Sequence, residues 1–274
     1  MKIALNGASG FVGGHIKNRF QDHVIIEKTD SEAMILEKLK DVDVAINLAG
    51  APIIKKWDED YKQLLIESRI ESTRKLVNAL NQSACSQFIS ASAIGIYPND
   101  VACDETTHSY AEDFLAQLVQ RWEEEAQTCH KPTAILRFGV VLGNDGGALK
   151  QMLPAFKMGL GGIIGYGKMM TSWIDIDDLI NIYTFIIENK LSGIFNATAP
   201  HPISNYELTK TLGKVLFRPT LLPLPESFLT LMFGEAASVM IDSKEVYPKN
   251  LQAQGFEFSY PNIETSLRHL LKKQ

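Results

Sequence analysis

Three evenly spaced glycines near the start of the sequence constrain the fold more than any other feature. Gly7, Gly10 and Gly13 directly follow the apolar run 2–6, which predicts a strand, and the segment 11–20 that they open predicts a helix. Gly7 permits a turn that a Cβ atom would obstruct, Gly10 lets main-chain N–H groups approach a diphosphate, and Gly13 lets helix and strand pack closely. Because a helix N-terminus also attracts anions, the loop predicts a dinucleotide site, with a plain tight turn as the alternative. The residues assigned to this site are Gly7, Ser9, Gly10, Phe11, Val12 and Gly13.

Short apolar runs alternate with amphipathic stretches through the first half of the chain. Runs such as 42–48 suit strands that are buried on both faces of a sheet. The alternation predicts an α/β fold of the Rossmann type, a doubly wound parallel sheet with helices on both sides. Predicted strands lie at 2–6, 23–28, 42–48, 87–91 and 133–138, and predicted helices lie at 11–20, 31–40, 58–81 (capped by Asp58) and 111–129.

The pattern of residue types changes after Arg137. Residues 143–167 are rich in glycine and suggest a loop. The pattern then predicts a helix over 177–190, capped by Asp177 or Asp178, and a strand over 194–196. Prolines recur from Pro200 onward. This pattern predicts a smaller α/β lobe that is interleaved with the Rossmann domain and binds the substrate. The expected division is 1–145 with about 172–198 for the NAD(P)-binding domain, and 146–171 with 199–274 for the substrate lobe.

Composition excludes several classes of partner. The formal net charge is −5 and the basic residues are scattered, so no basic field is present to attract nucleic acid. No apolar run is long enough for a membrane span, and no signal peptide is recognised. We therefore expect a cytoplasmic protein, with an organelle protein whose targeting segment has been removed as the alternative. Three widely spaced cysteines and six histidines without paired spacing support neither a disulfide framework nor a metal site. The acidic run 123–125 on the predicted helix 111–129 is interpreted as a solvated face.

A second segment of small residues closes the predicted strand 42–48. Asn47, Leu48, Ala49 and Gly50 would let the chain pass close to a dinucleotide, although an ordinary turn after the strand explains them equally well. Together with the first glycine loop, the segment favours contact with a cofactor.

Several motifs together resemble one family. The sequences GASGFVG (7–13), NLAG (47–50), SASA (90–93), RFGVVLG (137–143) and WIDIDD (173–178) are similar to those of extended short-chain dehydrogenases/reductases, the NAD-dependent epimerase/dehydratase superfamily. More narrowly, SRI-x-ST (68–73), GGAL (146–149), GLGG (159–162) and NATAP (196–200) resemble the atypical, YfcH-like epimerase family proteins with their C-terminal domain of unknown function. The similarity extends over nearly the whole chain.

The resemblance implies NADP(H), more than NAD(H), as the cofactor. It adds Ser90, Phe138, Gly139 and Val140 to the cofactor-binding residues. It also implies a small-molecule substrate, anionic or sugar-like, and a homodimer formed through the helices 58–81 and 111–129 as one possibility.

The stretch 22–47 is shorter than the family pattern. Only one strand fits before 42–48, and we interpret it as the superfamily's third strand, with the second strand lost. Lys28 can pair with a 2′-phosphate and Glu27 with a ribose hydroxyl, so the sequence leaves the choice between NADP and NAD open.

The superfamily's acid–base pair, Tyr-x-x-x-Lys on one helix, is missing. Ser92 fits the family's serine position, but the helix 111–129 has no lysine, and its neighbour Tyr110 is followed four positions later by Phe114. Other candidate acids or bases near Ser92 are Tyr97, Glu105, His108 and Tyr110, of which Tyr97 is assigned as the catalytic candidate.

Arg69 stands where the superfamily has an asparagine that shapes the active site. Its planar guanidinium group suits a substrate carboxylate or phosphate, and the alternative is a surface arginine paired with Glu67 or Glu71. Two functions stay open: an NAD(P)-dependent oxidoreductase or nucleotide-sugar epimerase of unknown substrate, and a catalytically silent NADP(H)-binding sensor or scaffold.

Overall fold

The structure, a computed structural model, describes residues 1–272. Positions 273 and 274, the end of the expected substrate lobe, lie outside the described residues. Within that range no helix combines the length and the apolar character that crossing a membrane requires.

Fourteen strands form in the described part of the chain. They are β1 (Ile3–Asn6), β2 (His23–Ile26), β3 (Val44–Asn47), β4 (Gln87–Ala93), β5 (Ala102–Cys103), β6 (Thr133–Phe138), β7 (Val140–Leu142), β8 (Gly162–Ile164), β9 (Met170–Thr171), β10 (Trp173–Asp175), β11 (Gly193–Ala197), β12 (Ile203–Ser204), β13 (Leu222–Leu224) and β14 (Glu245–Val246).

The same described residues form twelve α-helices. They are α1 (Phe11–Arg19), α2 (Glu32–Lys38), α3 (Glu59–Ile66), α4 (Ser72–Gln82), α5 (Phe114–Gln127), α6 (Gly147–Lys157), α7 (Ile176–Glu188), α8 (Asn205–Leu216), α9 (Glu226–Phe233), α10 (Ser238–Ile241), α11 (Lys249–Ala253) and α12 (Ile263–Lys272).

Six of the strands form one parallel sheet in the order β11-β6-β4-β3-β1-β2. The two faces of this sheet are covered by different helices because neighbouring residues on a strand point in opposite directions. Ile3 and Leu5 of β1 belong to a core with α1 and α7, whereas Ala4 belongs to a second core with α2, α4 and α5. The predicted doubly wound Rossmann-type sheet is therefore confirmed.

The shortened stretch after α1 corrects one expectation. β2 pairs directly with β1 along its full length, from Ile3 opposite His23 to Asn6 opposite Ile26. In the usual 3-2-1-4 order this is the place of the second strand. The strand that is lacking among the described residues is the outer one, because β2 is followed by α2 and then by β3 on the other side of β1.

Two other expectations about elements were wrong in part. The segment 143–167 is not a loop throughout, because it contains α6 and β8. The predicted helix 58–81 is interrupted by a π-helical turn at Glu67–Glu71, although Asp58 caps its start by accepting a hydrogen bond from the Tyr61 N–H at 2.8 Å.

The cap of helix α7 lies slightly earlier than predicted. Asp175 accepts the Asp177 N–H at 2.9 Å and therefore caps the helix, in place of Asp177 or Asp178.

Four short strand pairs, separate from the six-stranded sheet, join the remaining segments to one another. β10 extends β7, which follows β6 directly, and β14 from the C-terminal part pairs with β5 from the loop after β4. β13 pairs with β8, and β12 pairs with β9. These crossings hold the C-terminal part of the chain above the carboxyl ends of the sheet strands.

Candidate functional site

The chain reverses its winding direction at β1, which makes the end of this strand a crevice. β2 lies on one side of β1 and β3 on the other, so the segments that leave β1 and β3 diverge there. In open parallel sheets ligands bind at such a switch point, beyond the carboxyl ends of the strands. The glycine loop 7–10 follows β1 and the NLAG segment follows β3, so both sequence motifs meet at this crevice.

The three glycines of the loop meet different surroundings. Gly7 has φ +88°, and a Cβ there would lie 2.6 Å from the Leu48 carbonyl carbon. A Cβ on Gly13 would lie 2.4 Å from the Gly7 carbonyl oxygen. A Cβ on Gly10 would meet only the Gly7 carbonyl oxygen, at 3.4 Å. Gly7 and Gly13 are thus required by the fold itself, whereas the space at Gly10 is left open toward the crevice.

An open groove of about 520 Å³ runs along this loop. Ser9, Gly10 and Phe11 line one side, and the start of α6 lines the other. The Phe11 ring fills the space that side chains on Gly143 and Gly146 would occupy, since Cβ atoms at these two positions would lie 2.3 and 2.1 Å from the ring. The first N–H groups of α1 have no partner within the helix. Together with the open space at Gly10 they form a cradle of the kind in which helix N-termini bind phosphate groups.

The first residue of the NLAG segment (47–50) is buried, and the other three are accessible from the crevice. The Asn47 side chain is fully buried and bonds Asn6, Thr73 and Ser90 at 3.1, 2.8 and 3.4 Å. These bonds tie the ends of β1, β3 and β4 to α4, so the side chains of Asn47 and Ser90 support the crevice floor from below. Leu48 and Ala49 are partly exposed and Gly50 is exposed, which leaves this stretch to face a ligand.

The segment after β2 carries an exposed cation. Lys28 is exposed and forms no ion pair with any residue from 1 to 272. Asp30 is buried, accepts the Glu27 N–H at 2.8 Å and binds the Lys38 ammonium group at 2.5 Å. Burial opposes the charge of Asp30, but these bonds lower the pKa of its carboxyl below the ordinary value. Asp30 is thus committed to the fold, and the exposed side chains at this strand end include Glu27 and Lys28.

The segment after β6 is held by main-chain bonds. The N–H groups of Gly139 and Val140 donate to Ala197 and Ser172 carbonyls at 3.1 and 2.8 Å. Phe138 is half-buried, with its ring 6.4 Å from that of Tyr183. This segment can therefore offer a ligand its side-chain surface and carbonyl groups, whereas two of its N–H donors are used within the fold.

Ser92 is buried and joined to an ion pair that the sequence did not predict. Its hydroxyl group donates to Glu123, which also accepts two hydrogen bonds from Arg137 at 2.8 and 2.7 Å. Burial alone would lower the pKa of Arg137, but the bonds and charge of Glu123 raise it. Glu123 is 5% exposed, so the interpretation of 123–125 as a wholly solvated face was wrong. Helical period, rather than the run of charge, distinguishes Glu123 from exposed Glu124.

Of the other acid or base candidates, Tyr97 and Tyr110 contact the same Arg137, whereas Glu105 and His108 do not. Tyr97 is fully buried, accepts from Arg137 at 2.8 Å and donates to Asn196 at 3.0 Å. Burial raises the pKa of Tyr97 to about 12. Glu105 caps the main chain at Asn196 and Asn250, the Tyr110 hydroxyl group accepts from Arg137 at 3.4 Å, and His108 is exposed. None of these groups combines a free polar atom with a position shown at the crevice.

The structure also explains why helix α5 has no acid–base pair. Glu123 faces Ser92, and the residues one and two turns earlier on the same face are Val119 and Leu115. Both are apolar and pack in the cluster around Ile94 and Ile96. Leu115 fills the space beside Gly95, where a Cβ would lie 2.8 Å from its side chain. The helix face next to Ser92 is thus hydrophobic at the spacing that a Tyr-Lys pair would need.

Arg69 lies in the π-helical turn and faces the NLAG segment. Its guanidinium group donates to the Ala51 carbonyl at 2.9 Å and would lie 3.0 Å from a Cβ on Gly50. Glu71 instead pairs with Arg74, and Glu67 accepts from Gln63, so the surface-pair alternative for Arg69 is wrong. Burial lowers the pKa of Arg69 to about 10. Arg69 is thus a partly exposed cation without an ion-pair partner in the described chain, beside exposed Gly50.

A group of metal-ligand type occurs away from the crevice. Asp175, Asp177 and His269 bring their ligand atoms within 4.8 Å of one another. The spacing could not suggest this group, because His269 comes from α12. Asp175 already accepts the Asp177 N–H and, at 2.6 Å, the Ser266 hydroxyl group, and Asp177 pairs with His269 at 2.7 Å. The group therefore fastens α12 to the start of α7.

A six-stranded parallel sheet with a glycine loop at its switch point defines the class of NAD(P)-binding Rossmann-type proteins, and comparison with known proteins narrows this class. The model of the NAD dependent epimerase/dehydratase family matches residues 3–198, and that of a domain of unknown function (DUF1731) matches residues 224–270. The chain belongs to the NAD dependent epimerase/dehydratase family.

Relatives extend the similarity over the whole chain. The chain is 34% identical to the Arabidopsis thaliana protein named epimerase family protein SDR39U1 homolog, chloroplastic, over 99% of this chain and 87% of that protein. It is 34% identical to epimerase family protein SA0724 of Staphylococcus aureus, over 98% of each. The crystal structure of human epimerase family protein SDR39U1 (isoform 2) with NADPH superposes with a TM-score of 0.93 and 28% identity, covering 100% of both chains.

Proposed function

We propose that this protein binds NADP(H) along the glycine loop and uses it to oxidise or reduce a small molecule held under the C-terminal lobe. The observation that carries the proposal is the cradle at Gly10, where the fold leaves open the space that a Cβ and a side chain would fill. The similar human protein was crystallised with NADPH, which supports the same cofactor here. Gly7, Ser9, Phe11, Val12 and Gly13 would form the main-chain cradle for the diphosphate.

Lys28 is proposed to select NADP(H) over NAD(H). A 2′-phosphate carries negative charge that an exposed, unpaired ammonium group can bind. Acidic residues that bind a ribose diol favour NAD, but Asp30 is used by Lys38 and the main chain. Glu27 is the remaining exposed carboxylate at this strand end, and selection of NADP(H) requires that Lys28 rather than Glu27 contacts the ribose.

The chain's own residues limit which chemistry is feasible. Bound NADP(H) would supply or accept hydride at its nicotinamide ring. Leu48, Ala49 and Phe138 are proposed to shape the cofactor's surroundings, with Asn47, Ser90, Gly139 and Val140 holding these segments in place. An epimerase must remove and return a hydroxyl proton, which the family's Tyr-Lys pair performs. Hydride reduction of a carbonyl also needs a proton for the product oxygen. Because Leu115 and Val119 occupy the matching helix face, either reaction would have to take its proton from another side chain or from water.

Arg69 is proposed to bind the negative charge of the ligand on the Rossmann side of the cleft. A guanidinium group that is partly desolvated and not neutralised by a carboxylate attracts an anionic group or a developing alkoxide. Ser92 is proposed as a positioning residue, since its hydroxyl hydrogen is donated to Glu123, and Tyr97 as a buried support for Arg137.

One observation favours a second candidate function. The hydrophobic face of α5 beside Ser92 removes the usual proton-transfer device, as expected for a protein that senses NADP(H) without turning it over. The presence of a second cavity between the Rossmann loops and the C-terminal lobe favours the enzyme, because a sensor has little use for it.

Deuteride transfer separates the two candidates. The protein is incubated with NADPH deuterated at C4 and a metabolite extract, and the extract is searched for deuterium by mass spectrometry. We expect one or more metabolites to gain deuterium, and the Arg69→Met variant to lose this transfer while it still binds NADPH. Tight NADPH binding without deuterium transfer to any metabolite would instead establish the sensor.

A further inference from the structure

A second cavity, of about 340 Å³, lies between the loop after β4 and the C-terminal lobe. Asn99 and Asp100 contribute from the Rossmann side, shortly after the buried Tyr97. Lys168 and Met169 come from the segment before β9, and Glu226 and Asp242 come from α9 and the residue after α10. Because β4 ends in this loop and β10 joins β7 next to β6, the cavity lies beyond the carboxyl ends of β4 and β6. It shares no lining residue with the groove at the glycine loop.

The walls of this cavity are held in place by hydrogen bonds from main-chain N–H groups to Ser243. The Asp100 N–H donates to the Ser243 carbonyl at 3.1 Å, and the Met170 N–H donates to the Ser243 hydroxyl oxygen at 3.1 Å. Behind the wall, Lys244 donates to the Tyr97 carbonyl at 2.5 Å. The cavity is therefore bounded by paired segments from both lobes.

Negative charge dominates the lining. Asp100, Glu226 and Asp242 supply three carboxylates, whereas Lys168 supplies one ammonium group. None of these four residues forms an ion pair with another residue in the range 1–272. The Asn99 side-chain amide forms a hydrogen bond with Asp242. Burial raises the pKa of Asp242 above its ordinary value, although the charge of nearby Lys244, which does not line the cavity, opposes the rise.

An exposed aromatic ring stands at the edge of the same cavity. Tyr166 is 90% exposed and is flanked by Gly165 and Gly167, which have φ +53° and +69°. Glu226 lies against Gly165, where a Cβ would be 2.0 Å from its carboxylate oxygen. A ring next to carboxylates suits an ammonium group, which the ring face and the negative charge attract together.

We infer that this cavity binds the end of the substrate that lies farther from the cofactor, and that this end is a hydroxylated group bearing an amine rather than a carboxylate or phosphate. The carboxylates and the Asn99 side chain can form hydrogen bonds with hydroxyl groups. The excess negative charge and the Tyr166 ring favour a cation. The inference rests on the proposed function, and it places the anion-binding role of Arg69 and the cation-binding role of this cavity at different ends of the ligand.

Three sugars of similar shape and different charge test the inference. D-glucosamine, D-glucose and D-glucuronate are titrated into the NADPH-saturated full-length protein at low salt, and binding is followed by ligand-observed NMR. We expect D-glucosamine to bind about tenfold more tightly than D-glucuronate, with D-glucose between them, because one charge changes sign inside a carboxylate-lined cavity.

Charge variants of the lining provide matched controls. Glu226→Gln and Asp242→Asn should each weaken D-glucosamine binding about tenfold, and Lys168→Gln should strengthen it, since a like charge is removed. Glu188→Gln, an exposed carboxylate at the end of α7, should leave it unchanged. Because exposed Glu226 lies on the surface of α9, its variant tests the cavity even if Asp242→Asn impairs folding.

The results that overturn the inference differ from those that overturn the proposed function. D-glucuronate binding as tightly as D-glucosamine, no binding by any of the three sugars, or affinities unaffected by the Glu226 and Lys168 variants would contradict the cavity's assigned ligand class. Failure of NADPH to bind in the same samples would contradict the proposed function itself.

Discussion

At the scale of single residues, the three glycines of the first loop have equal spacing and unequal roles. A Cβ atom added to Gly7 or to Gly13 would lie within 2.6 Å of main-chain atoms. Replacing either glycine must therefore move the backbone. Gly10 has φ −74°, which any residue adopts, and open space beyond it. The fold therefore needs two of these glycines, and the third is left for the ligand.

This difference predicts opposite phenotypes for two substitutions. Gly10→Leu should lower NADPH affinity about 100-fold or more by filling the cradle, while the free energy of unfolding changes by less than about 1 kcal/mol. Gly13→Ala should cost about 1–3 kcal/mol of stability, because its Cβ overlaps the Gly7 carbonyl oxygen. Fluorescence titration with NADPH and urea unfolding measure the two effects. Unaltered NADPH affinity in Gly10→Leu would remove the basis of the proposed function.

Lys28 provides a second prediction at this scale. Lys28→Ala should weaken NADPH binding about tenfold and leave NADH binding unchanged, because only NADPH carries the 2′-phosphate. Lys40→Ala removes an exposed lysine that pairs with Glu37 and serves as the control for net charge. Equal losses for NADPH and NADH, or no loss for either, would assign cofactor choice to another residue.

At the scale of elements, helix α5 shows how one helix face decides chemistry. Its positions 115, 119 and 123 point toward the end of β4, and only the last is polar. Glu123, the polar one, forms a buried ion pair with Arg137. Glu123 also accepts a hydrogen bond from Ser92, and Arg137 donates one to Tyr97. On this face α5 thus contributes apolar packing and a buried ion pair, at the spacing where the family resemblance implies a Tyr-Lys pair.

Two neighbouring carboxylates on α5 test this assignment. Glu123→Gln should destabilise the protein by about 3–5 kcal/mol, because it leaves Arg137 buried without its counter-charge. Glu124→Gln, on the exposed side of the same turn, should change stability by less than about 0.5 kcal/mol. Chemical unfolding of both variants measures the difference, and similar values for the two would show that the buried pair contributes little.

At the scale of the whole molecule, the C-terminal helix is fastened to the sheet through one buried carboxyl group. Asp175 ends β10, caps α7 and accepts the Ser266 hydroxyl group of α12 at 2.6 Å. Burial raises the pKa of Asp175 to about 6, with the charge of Asp177 raising it further and bonds to Ser266 and the main chain opposing the rise. The ionisation of one side chain is thereby linked to the docking of a helix from the other end of the chain.

The sign of this shift predicts how stability depends on pH. Between the ordinary carboxyl pKa of 3.8 and about 6, the folded state holds a proton on Asp175 that the unfolded chain has released. The free energy of unfolding should therefore fall as pH rises through this window, by about 3 kcal/mol from this group. Thermal unfolding of the wild type and of Asp175→Asn across this range measures the difference in slope. Parallel curves for the two proteins would contradict the assignment.

Comparison of sequence and structure shows which properties are encoded locally. The alternation of strands and helices in the first half, the glycine loop and the cap at Asp58 follow from apolar period, missing Cβ atoms and a short polar side chain, all of which act within a few residues. The missing Tyr-Lys pair is equally visible, because both members would lie on one helix. The family resemblance added the expectation of a C-terminal domain of unknown function, and the model of such a domain matches residues 224–270.

Properties that depend on distant residues were decided only by the tertiary structure. The sequence could not show that β2 pairs with β1, that Glu123 meets Arg137 inside the core, or that Arg69 has no counter-charge among the described residues. The acidic cavity is formed by segments near residues 100, 168, 226 and 242, which no local pattern connects. The physical reason is the same in each case: burial and charge pairing depend on which surfaces meet, and the long connections between these segments leave that choice to the packing of the whole chain.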